Sequence, residues 1–452
     1  NLFAPEDITV TERNETRVRE SVFGRVNYAY DDRFLASVSL RRDGDSRFGS
    51  NKRYETFPAV SVGWNIHNES FLAGNETLSQ LGTTSFLGSY DSLSLLSPSA
   101  TIYGTGYLIP SNSPNPDLTW QTNTETNFGL DLGILNNRFT LGVDYYTSDI
   151  ENILINQAQS EVLGNPSSIL NVGDVQSSGL EFELTGVLVD SNDFAWNMNA
   201  NLSTVDTEIT YLGGLDELPQ QIYGQSGRGA VFRNYVGGGI GEMWGLETTG
   251  PVEMAYLADG TRHPNNQSGE SYVVDQNGDG VIDRTRTVAD GGDLVKIGQN
   301  TPDFYWGMSH NVSYKQFDAS IQFQGSHGAE VYNIDPLYYG SQWGGRLSGL
   351  PADSPLTERN RNQTDAMIQD ASYIALRNLT IGYTVDSTLV ESLGLSSVRA
   401  YLAATNLLYI MGDDYTSYNP EGVKGNDPTI YGAQVGASPV VRSFTLGLNV
   451  NF

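Results

Sequence analysis

The chain has 452 residues, with 53 Asp+Glu against 25 Lys+Arg for a formal net charge of −28, and it contains no Cys. So acidic a balance excludes nucleic acid as a partner, because phosphate backbones demand clustered Lys and Arg. The absence of Cys excludes a disulfide framework and a thiolate metal site. No stretch reaches the ~18 consecutive apolar residues of a transmembrane helix. Hydropathy still does not decide the compartment, since a transmembrane barrel is apolar on one strand face only and averages like a soluble protein. The opening Asn1-Leu2-Phe3 shows no charged segment leading into an apolar core, so no signal peptide is visible.

Periodicity carries the information. In chain order, apolar residues alternate with polar ones at Phe34-Ala36-Val38-Leu40, Phe128-Leu130-Leu132, Phe139-Leu141-Val143-Tyr145, Leu180-Phe182-Leu184 and Trp196-Met198-Ala200-Leu202. The pattern continues at Trp306, Met308, Val312 and Tyr314, with His310 the polar exception, then at Phe317-Ala319-Ile321-Phe323 and Phe444-Leu446-Leu448-Val450-Phe452. A period of two is the strand signature, and about thirteen strands are predicted, with 78–90 and 228–236 blurred. Many alternations run about 9–11 residues, the length of a tilted transmembrane strand rather than of an average sandwich strand. The polar partners are rich in Asn, Ser, Thr, Gly and Gln, with Asp131, Asp144, Glu181 and Glu183 among them, as a wet or plug-filled lumen requires. Tyr28, Tyr30, Trp64, Trp120, Tyr145, Tyr146 and Tyr383 gather at strand ends, where interfacial girdles sit. In lipid an open edge strands unpaired backbone groups, so the predicted fold is all-β, a transmembrane antiparallel β-barrel.

Tight polar turns are predicted at Asp31-Asp32-Arg33, Asn136-Asn137 and Lys315-Gln316, and long connections at 43–56, 91–119, 150–174, 207–300, 326–370 and 409–438. Short turns on one side and long loops on the other are the asymmetry of an outer-membrane barrel. The 207–300 segment is read as an extracellular loop insertion, with a short hairpin around Gly229–Val236.

Within that insertion, Asp275-x-Asn277-x-Asp279-Gly280-Val281-Ile282-Asp283 places oxygen ligands at every second residue around a turn glycine. A hard cation such as Ca²⁺ takes such a set, with side chains from Asp275, Asn277 and Asp279 and the carbonyl of Val281. The bidentate Glu of the helical-loop pattern is replaced by Arg286, so Asp283, helped by Asp290 or Asp293, would have to complete the cage. The competing reading is a run of Asx-turns whose carboxylates bind backbone amides. His67, His263, His310 and His327 show no metal spacing, and Gly237–Gly241 follows no strand-to-helix switch, so it reads as a loop rather than a phosphate cradle. Glu181 and Glu183, about 7 Å apart by strand rise, read as a lumenal charged ladder rather than a glycosidase pair. No arrangement of residues points to an enzyme. The loop aromatics Tyr332, Tyr338, Tyr339, Trp343 and Tyr415 are candidates for ligand or lid contact by stacking.

Several stretches together resemble the SusC/RagA family of TonB-dependent outer-membrane transporters of the Bacteroidetes. They are Ser39-Leu40-Arg41-Arg42-Asp43-Gly44-Asp45-Ser46-Arg47-Phe48-Gly49, Phe57-Pro58-Ala59-Val60-Ser61-Val62-Gly63-Trp64 and Asn115-Pro116-Asp117-Leu118-Thr119-Trp120. Val143-Asp144-Tyr145-Tyr146, Ser178-Gly179-Leu180-Glu181, the Asp275–Asp283 run, Ile297-Gly298, Ala371–Tyr383, Asn406-Leu407-Leu408 and the closing strand complete the series. Thr84-Ser85-Phe86-Leu87-Gly88-Ser89-Tyr90 departs from the family pattern and blurs the strand there. Nothing resembles the plug or the TonB-contacting segment. The resemblance implies a barrel of about 22 strands around a plug, so 1–452 is expected to be its C-terminal portion, with the plug and early strands elsewhere on the precursor or on another chain. It also implies import of an oligomeric nutrient, glycan or peptide, with a SusD-like lipoprotein as lid and TonB acting on the plug. A passive porin or structural barrel is the alternative, and a soluble sandwich-type binding protein a third.

Overall fold

The computed structural model describes residues 17–72, 75, 77–92, 117–158, 167–218, 231–248, 273–335, 363–392, 394–422, 432–434 and 436–452. In chain order the strands are β1 (Arg19–Tyr30), β2 (Phe34–Asp45), β3 (Tyr54–Asn65), β4 (Leu78–Ser92), β5 (Gln121–Ile134), β6 (Phe139–Ala158), β7 (Ser167–Asp190), β8 (Phe194–Ser203), β9 (Asp206–Leu212) and β10 (Glu242–Gly245). They continue with β11 (Val295–Gln299), β12 (Phe304–Tyr314), β13 (Phe317–His327), β14 (Glu330–Asn333), β15 (Ile368–Asp370), β16 (Tyr373–Thr384), β17 (Ser397–Met411), β18 (Ala433–Gln434) and β19 (Ser443–Asn451). Thirteen of them form one path, β1 to β8 followed by β12, β13, β16, β17 and β19, and β9 joins the same sheet through β7. Every neighbouring pair on that path is antiparallel.

Register brings the alternating apolar residues into shared rows. Val26 lies opposite Val38, and Val38 opposite Val60. Another row runs Leu130, Val143, Phe182, Leu202, Trp306, and a third runs Ile381, Leu402, Leu446. Among the described residues no part of the chain covers these positions: Leu446 is 83% exposed, Val26 70% and Phe444 65%. A sandwich would bury these side chains between two sheets, whereas here they form the outer surface that hydrocarbon must wet. The exception in the pattern, His310, is satisfied within the belt. Trp196 Nε1 donates to His310 Nδ1 at 3.2 Å, and the other ring nitrogen lies 3.1 Å from Met308 Sδ. A polar ring facing lipid is thus given partners from its own strand and the next.

The connections alternate strictly. The strand ends flanking 31–33, 66–77, 135–138, 191–193, 315–316 and 385–396 are at one end of the sheet, and those flanking 46–53, 93–120, 159–166, 204–303, 328–372 and 412–442 at the other. Asp31 and Asp32 adopt φ of 53° and 49°, and Asn136 and Asn137 φ of 57° and 58°. Asp and Asn tolerate the left-handed region that such tight reversals need.

Two boundaries and one hairpin differ from what the sequence predicts. Of the segment 150–174, read as a connection, 150–158 and 167–174 are strand, because β6 and β7 stay paired out to Ala158 and Ser167. There Ile153 and Ile155 pack with Val175, Ile209 and Leu212 instead of facing lipid, which is why the alternation stops being legible. The long insertion begins later than 207, since β9 pairs with Gly173–Ser178 of β7. Of the hairpin expected at Gly229–Val236, the first two residues lie outside the described ones. The remainder makes isolated bridges, Phe232 to Met243 and Tyr235 to Glu217. The blurred 84–90 segment is part of a continuous β4, paired with β5 throughout and with β3 as far as Gly88.

The path ends at β1 and β19, which do not pair with each other. In a bilayer these edges require hydrogen-bonding partners, because unpaired backbone groups in hydrocarbon cost several kcal/mol each. The face assignment has a direct test. Leu446→Arg, on the outer face, is expected to cost roughly 2–4 kcal/mol, and Thr445→Arg, on the inner face, less than about 1 kcal/mol, read from urea unfolding in lipid vesicles. Equal costs would contradict the two-faced sheet.

Candidate functional site: a polar lumen under a folded loop layer

The inner face is a continuous polar lining. Asn197, Asn199 and Asn201 of β8 lie opposite Asn311, Ser309 and Gly307 of β12. Ser309 in turn faces Gln322 of β13, which faces Asn378 of β16, and Asn378 Nδ2 donates to Gln322 Oε1 at 2.7 Å. Asp144 stands opposite Glu181. Glu183 accepts from Asn199 Nδ2 at 3.3 Å. Such amides, hydroxyls and carboxylates bind water or a polar ligand by exchange of hydrogen bonds and offer no nucleophile–base pair.

Over the long-connection end lies a layer with cores of its own. Val231, Phe232 and Met243 from 204–303 meet Tyr332, Ile334 and Met367 from 328–372 and Ala433 from 412–442. A second cluster joins Ala329, Val331, Ala371 and Tyr415, and a third joins Phe48, Phe57 and Trp120 across two other loops. Backbone pairing reinforces the packing: β10 pairs with β11, and β14 lies between β15 and β18. Buried polar groups seal the seams. Asn333 Nδ2 donates to Gln369 Oε1 at 2.7 Å, and Asp335 accepts from Ser417 Oγ at 2.9 Å and from the Gly436 amide at 2.6 Å.

This packing places the candidate aromatics. Tyr332 is 4% exposed and Tyr415 8%. Their hydroxyls accept from the Gln363 amide at 3.0 Å and from Gln434 Nε2 at 2.5 Å. Both rings build the loop layer's interior and present little surface to a ligand. Tyr338, Tyr339 and Trp343 lie outside the described residues.

Two polar stations were not anticipated. In the first, Arg377 is displaced by register irregularities on both of its neighbours, at Gln322/Phe323 and at Leu376/Asn378. The extra residue turns its guanidinium to Glu421 and to the Tyr409 hydroxyl. The rings of Tyr373 and Tyr409 lie 5.8 and 5.2 Å from it. Both tyrosine hydroxyls donate to Glu421, at 2.8 and 2.9 Å, so the 412–442 loop is fastened to the barrel wall. A signal was present: Leu376-Arg377-Asn378-Leu379 sets two polar residues between apolar ones, which a regular strand does not do. In the second, Glu242 is 7% exposed. It accepts from Tyr235 Oη at 2.9 Å, Lys296 Nζ at 3.0 Å and Trp244 Nε1 at 3.1 Å. Burial alone would raise the Glu242 carboxyl, but these donors outweigh it and hold it below the usual carboxylate range. Burial and the neighbouring Glu242 push the Tyr235 phenol up to about 12.

Comparison with known proteins agrees with this architecture. The family model described as TonB dependent receptor-like, beta-barrel, matches residues 1–407. The chain belongs to that family. TonB-dependent receptor P3 of Formosa agariphila is 30% identical over 97% of this chain and 46% of its own length. TonB-dependent receptor SusC of Bacteroides thetaiotaomicron is 27% identical over 99% and 45%. The solved structure of the RagAB peptide transporter matches with a TM-score of 0.72 at 23% identity, over 96% of this chain and 48% of that one. The motif resemblance to SusC/RagA therefore holds, and the chain spans about half the length of the curated relatives it matches. As a TonB-dependent receptor barrel it is an outer-membrane protein and not an enzyme.

In this TonB-dependent receptor barrel the Asp-rich loop is tied to backbone. Asp275 accepts from the Gly278 and Gly280 amides at 2.7 and 2.8 Å. Asn277 accepts from the Asp279 amide and Asp279 from the Val281 amide, at 2.9 and 2.8 Å. Asp283 is turned to Thr285 and Arg286, which hold its carboxyl well below the usual range. Asp293, fully buried, accepts from the amides of Gln276 at 2.8 Å and Asp283 at 2.6 Å. Among the described residues no three acidic or histidine side chains gather into a metal-holding group. As placed, the side chains of Asn277, Asp279 and Asp283 accept from amides two residues on in Asx-turns, Asp275 accepts from amides three and five residues on, and Val281 supplies an amide to Asp279.

The Glu242 station sets a pH dependence. A carboxyl lowered in the folded layer means that the unfolded layer binds more protons, so its stabilisation is complete at neutral pH and fades below about pH 4.3, the ordinary glutamate value. Amide hydrogen exchange at Trp244 and Lys296 is expected to accelerate, after correction for intrinsic rates, as pH falls through that window. Glu242→Gln is expected to flatten the dependence.

Proposed function

We propose that this chain supplies the C-terminal barrel wall and most of the extracellular loop layer of an energised importer of oligomeric nutrients, glycan or peptide. On this reading a SusD-like surface lipoprotein covers the mouth. TonB, acting from the periplasm, withdraws a plug carried on the precursor outside these strands or on another chain. The observation that carries the proposal is the pairing of a polar lumen with a jointly folded loop layer above it. A ligand too large to diffuse through a closed barrel needs a chamber with a lid contact on one side and a gated exit on the other. Transport of this kind is binding followed by a change of state, with no covalent step.

Removing the gene is expected to abolish uptake of at least one oligosaccharide or peptide by its host, and removing TonB is expected to do the same. Uptake that survives loss of TonB would favour the passive porin. The Asp-rich loop is separately testable. A calorimetric titration with Ca²⁺ is expected to give no heat if its carboxylates stay on the backbone amides. Heat that Asp279→Ala abolishes would assign a structural Ca²⁺ to Asp275, Asn277, Asp279 and the Val281 carbonyl.

A further inference from the structure

Arg41 and Arg42 are consecutive in β2 and point to opposite faces. Arg41 turns inward and pairs with Asp43 at 2.6 Å. Beside it on the inner side, Arg17, Arg19 and Arg47 converge on the buried Asp45 at 2.7, 3.2 and 3.1 Å. Arg42 shares the outer face with Leu40, Val38 and Phe34, and has no carboxylate partner among the described residues. Its guanidinium rests 5.2 Å from the Tyr54 ring centroid, and Tyr54 Oη donates to Glu20 at 3.0 Å, which fixes the ring beneath it. The adjoining 46–53 turn adds Lys52 and Arg53, both exposed and without a carboxylate partner among the described residues.

Depth places this patch. Phe34 and Trp64 stack at 6.2 Å beside the 31–33 turn and mark the inner interface. Arg42 lies eight residues further along β2, about 27 Å by strand rise and about 20 Å along the membrane normal at the usual tilt of ~40°. The apolar band of such barrels is about 25 Å tall, and the next row inward is apolar, with Leu40 opposite Pro58. The guanidinium therefore sits where hydrocarbon gives way to headgroups on the outer leaflet. In a chain of net charge −28, a guanidinium on the lipid side at this depth without a carboxylate partner among the described residues answers to something outside the protein.

We propose that the outer rim of β2–β3 binds the phosphate of an outer-leaflet lipid headgroup, with Arg42 as the contacting group and Lys52 and Arg53 as the surrounding positive field. A guanidinium fork matches two phosphate oxygens at once, which an ammonium does not, and the tyrosine ring holds it pointed outward while its stem lies along apolar surface. Tyr54 is positioning and does not touch the phosphate.

The test uses the intact protein in nanodiscs containing phosphorylated lipid A, with retained lipid counted by native mass spectrometry. A cation near a membrane surface contributes about 1 kcal/mol, equivalent to about fivefold in retention. Arg42→Gln is therefore expected to retain about fivefold less lipid, Arg42→Lys an intermediate amount, and both to keep wild-type heat-modifiable migration. Dephosphorylated lipid A is expected to be retained as poorly by the wild type as phosphorylated lipid A is by Arg42→Gln. Unchanged retention by Arg42→Gln, or equal retention of the two lipids by the wild type, overturns the proposal. Displacement of the lipid by millimolar inorganic phosphate would show a soluble-anion site and refute the lipid assignment.

Discussion

Backbone amides and carbonyls have no water to turn to in hydrocarbon, so every one within the membrane must be paired by the chain itself. That constraint orders the rest of this molecule. It makes strands run the full span, keeps neighbours paired from β1 to β19 with only local bulges such as that at Arg377, and leaves the connections to the two ends. It also inverts the usual distribution of apolar residues. The large side chains of the strands are exposed, while buried clusters such as that of Met243, Tyr332 and Met367 lie beyond the membrane, in water, where burial is driven by the hydrophobic effect.

The same contrast explains what the sequence disclosed. Wherever one environment lay on each side of a strand, period two was clear, and the outward rows of Phe444, Leu446 and Leu448 stand as read. Alternation failed where the environment changed. Past Ile150 the β6–β7 arm leaves the membrane and packs on β9, so its Ile153 and Ile155 read as loop. The two- to five-residue strands of the loop layer have too little periodicity to detect, because they are held by tertiary neighbours rather than by their own pattern. Tyr332 and Tyr415 illustrate the cost of that gap. Judged as loop aromatics they suggested ligand contact, yet a loop layer with its own core needs large side chains for itself. The Asp275–Asp283 turn was legible as a turn, since Asx geometry is local.

On the importer proposal, the lumen and the loop layer divide the work between them. The lining from Asn197 to Asn378 is built of small polar groups on rigid strands, suited to a ligand that passes rather than stays. The loop layer is fastened to the wall through Arg377 and Glu421, at a site where two strand irregularities aim one guanidinium at one loop. A rigid wall joined to a layer at discrete points can change state by releasing those points without unpairing the sheet.

The joint packing of three loops far apart along the chain bears on biogenesis. Val231, Ile334 and Ala433 belong to connections separated by whole transmembrane hairpins, so they have no means of meeting until those hairpins stand side by side. The cluster they share therefore condenses only after those hairpins are side by side, whereas pairing within one loop, such as β10 with β11, needs no such wait. Contacts of such long sequence separation form slowly, which makes maturation of the cell-facing side the last step in building the molecule.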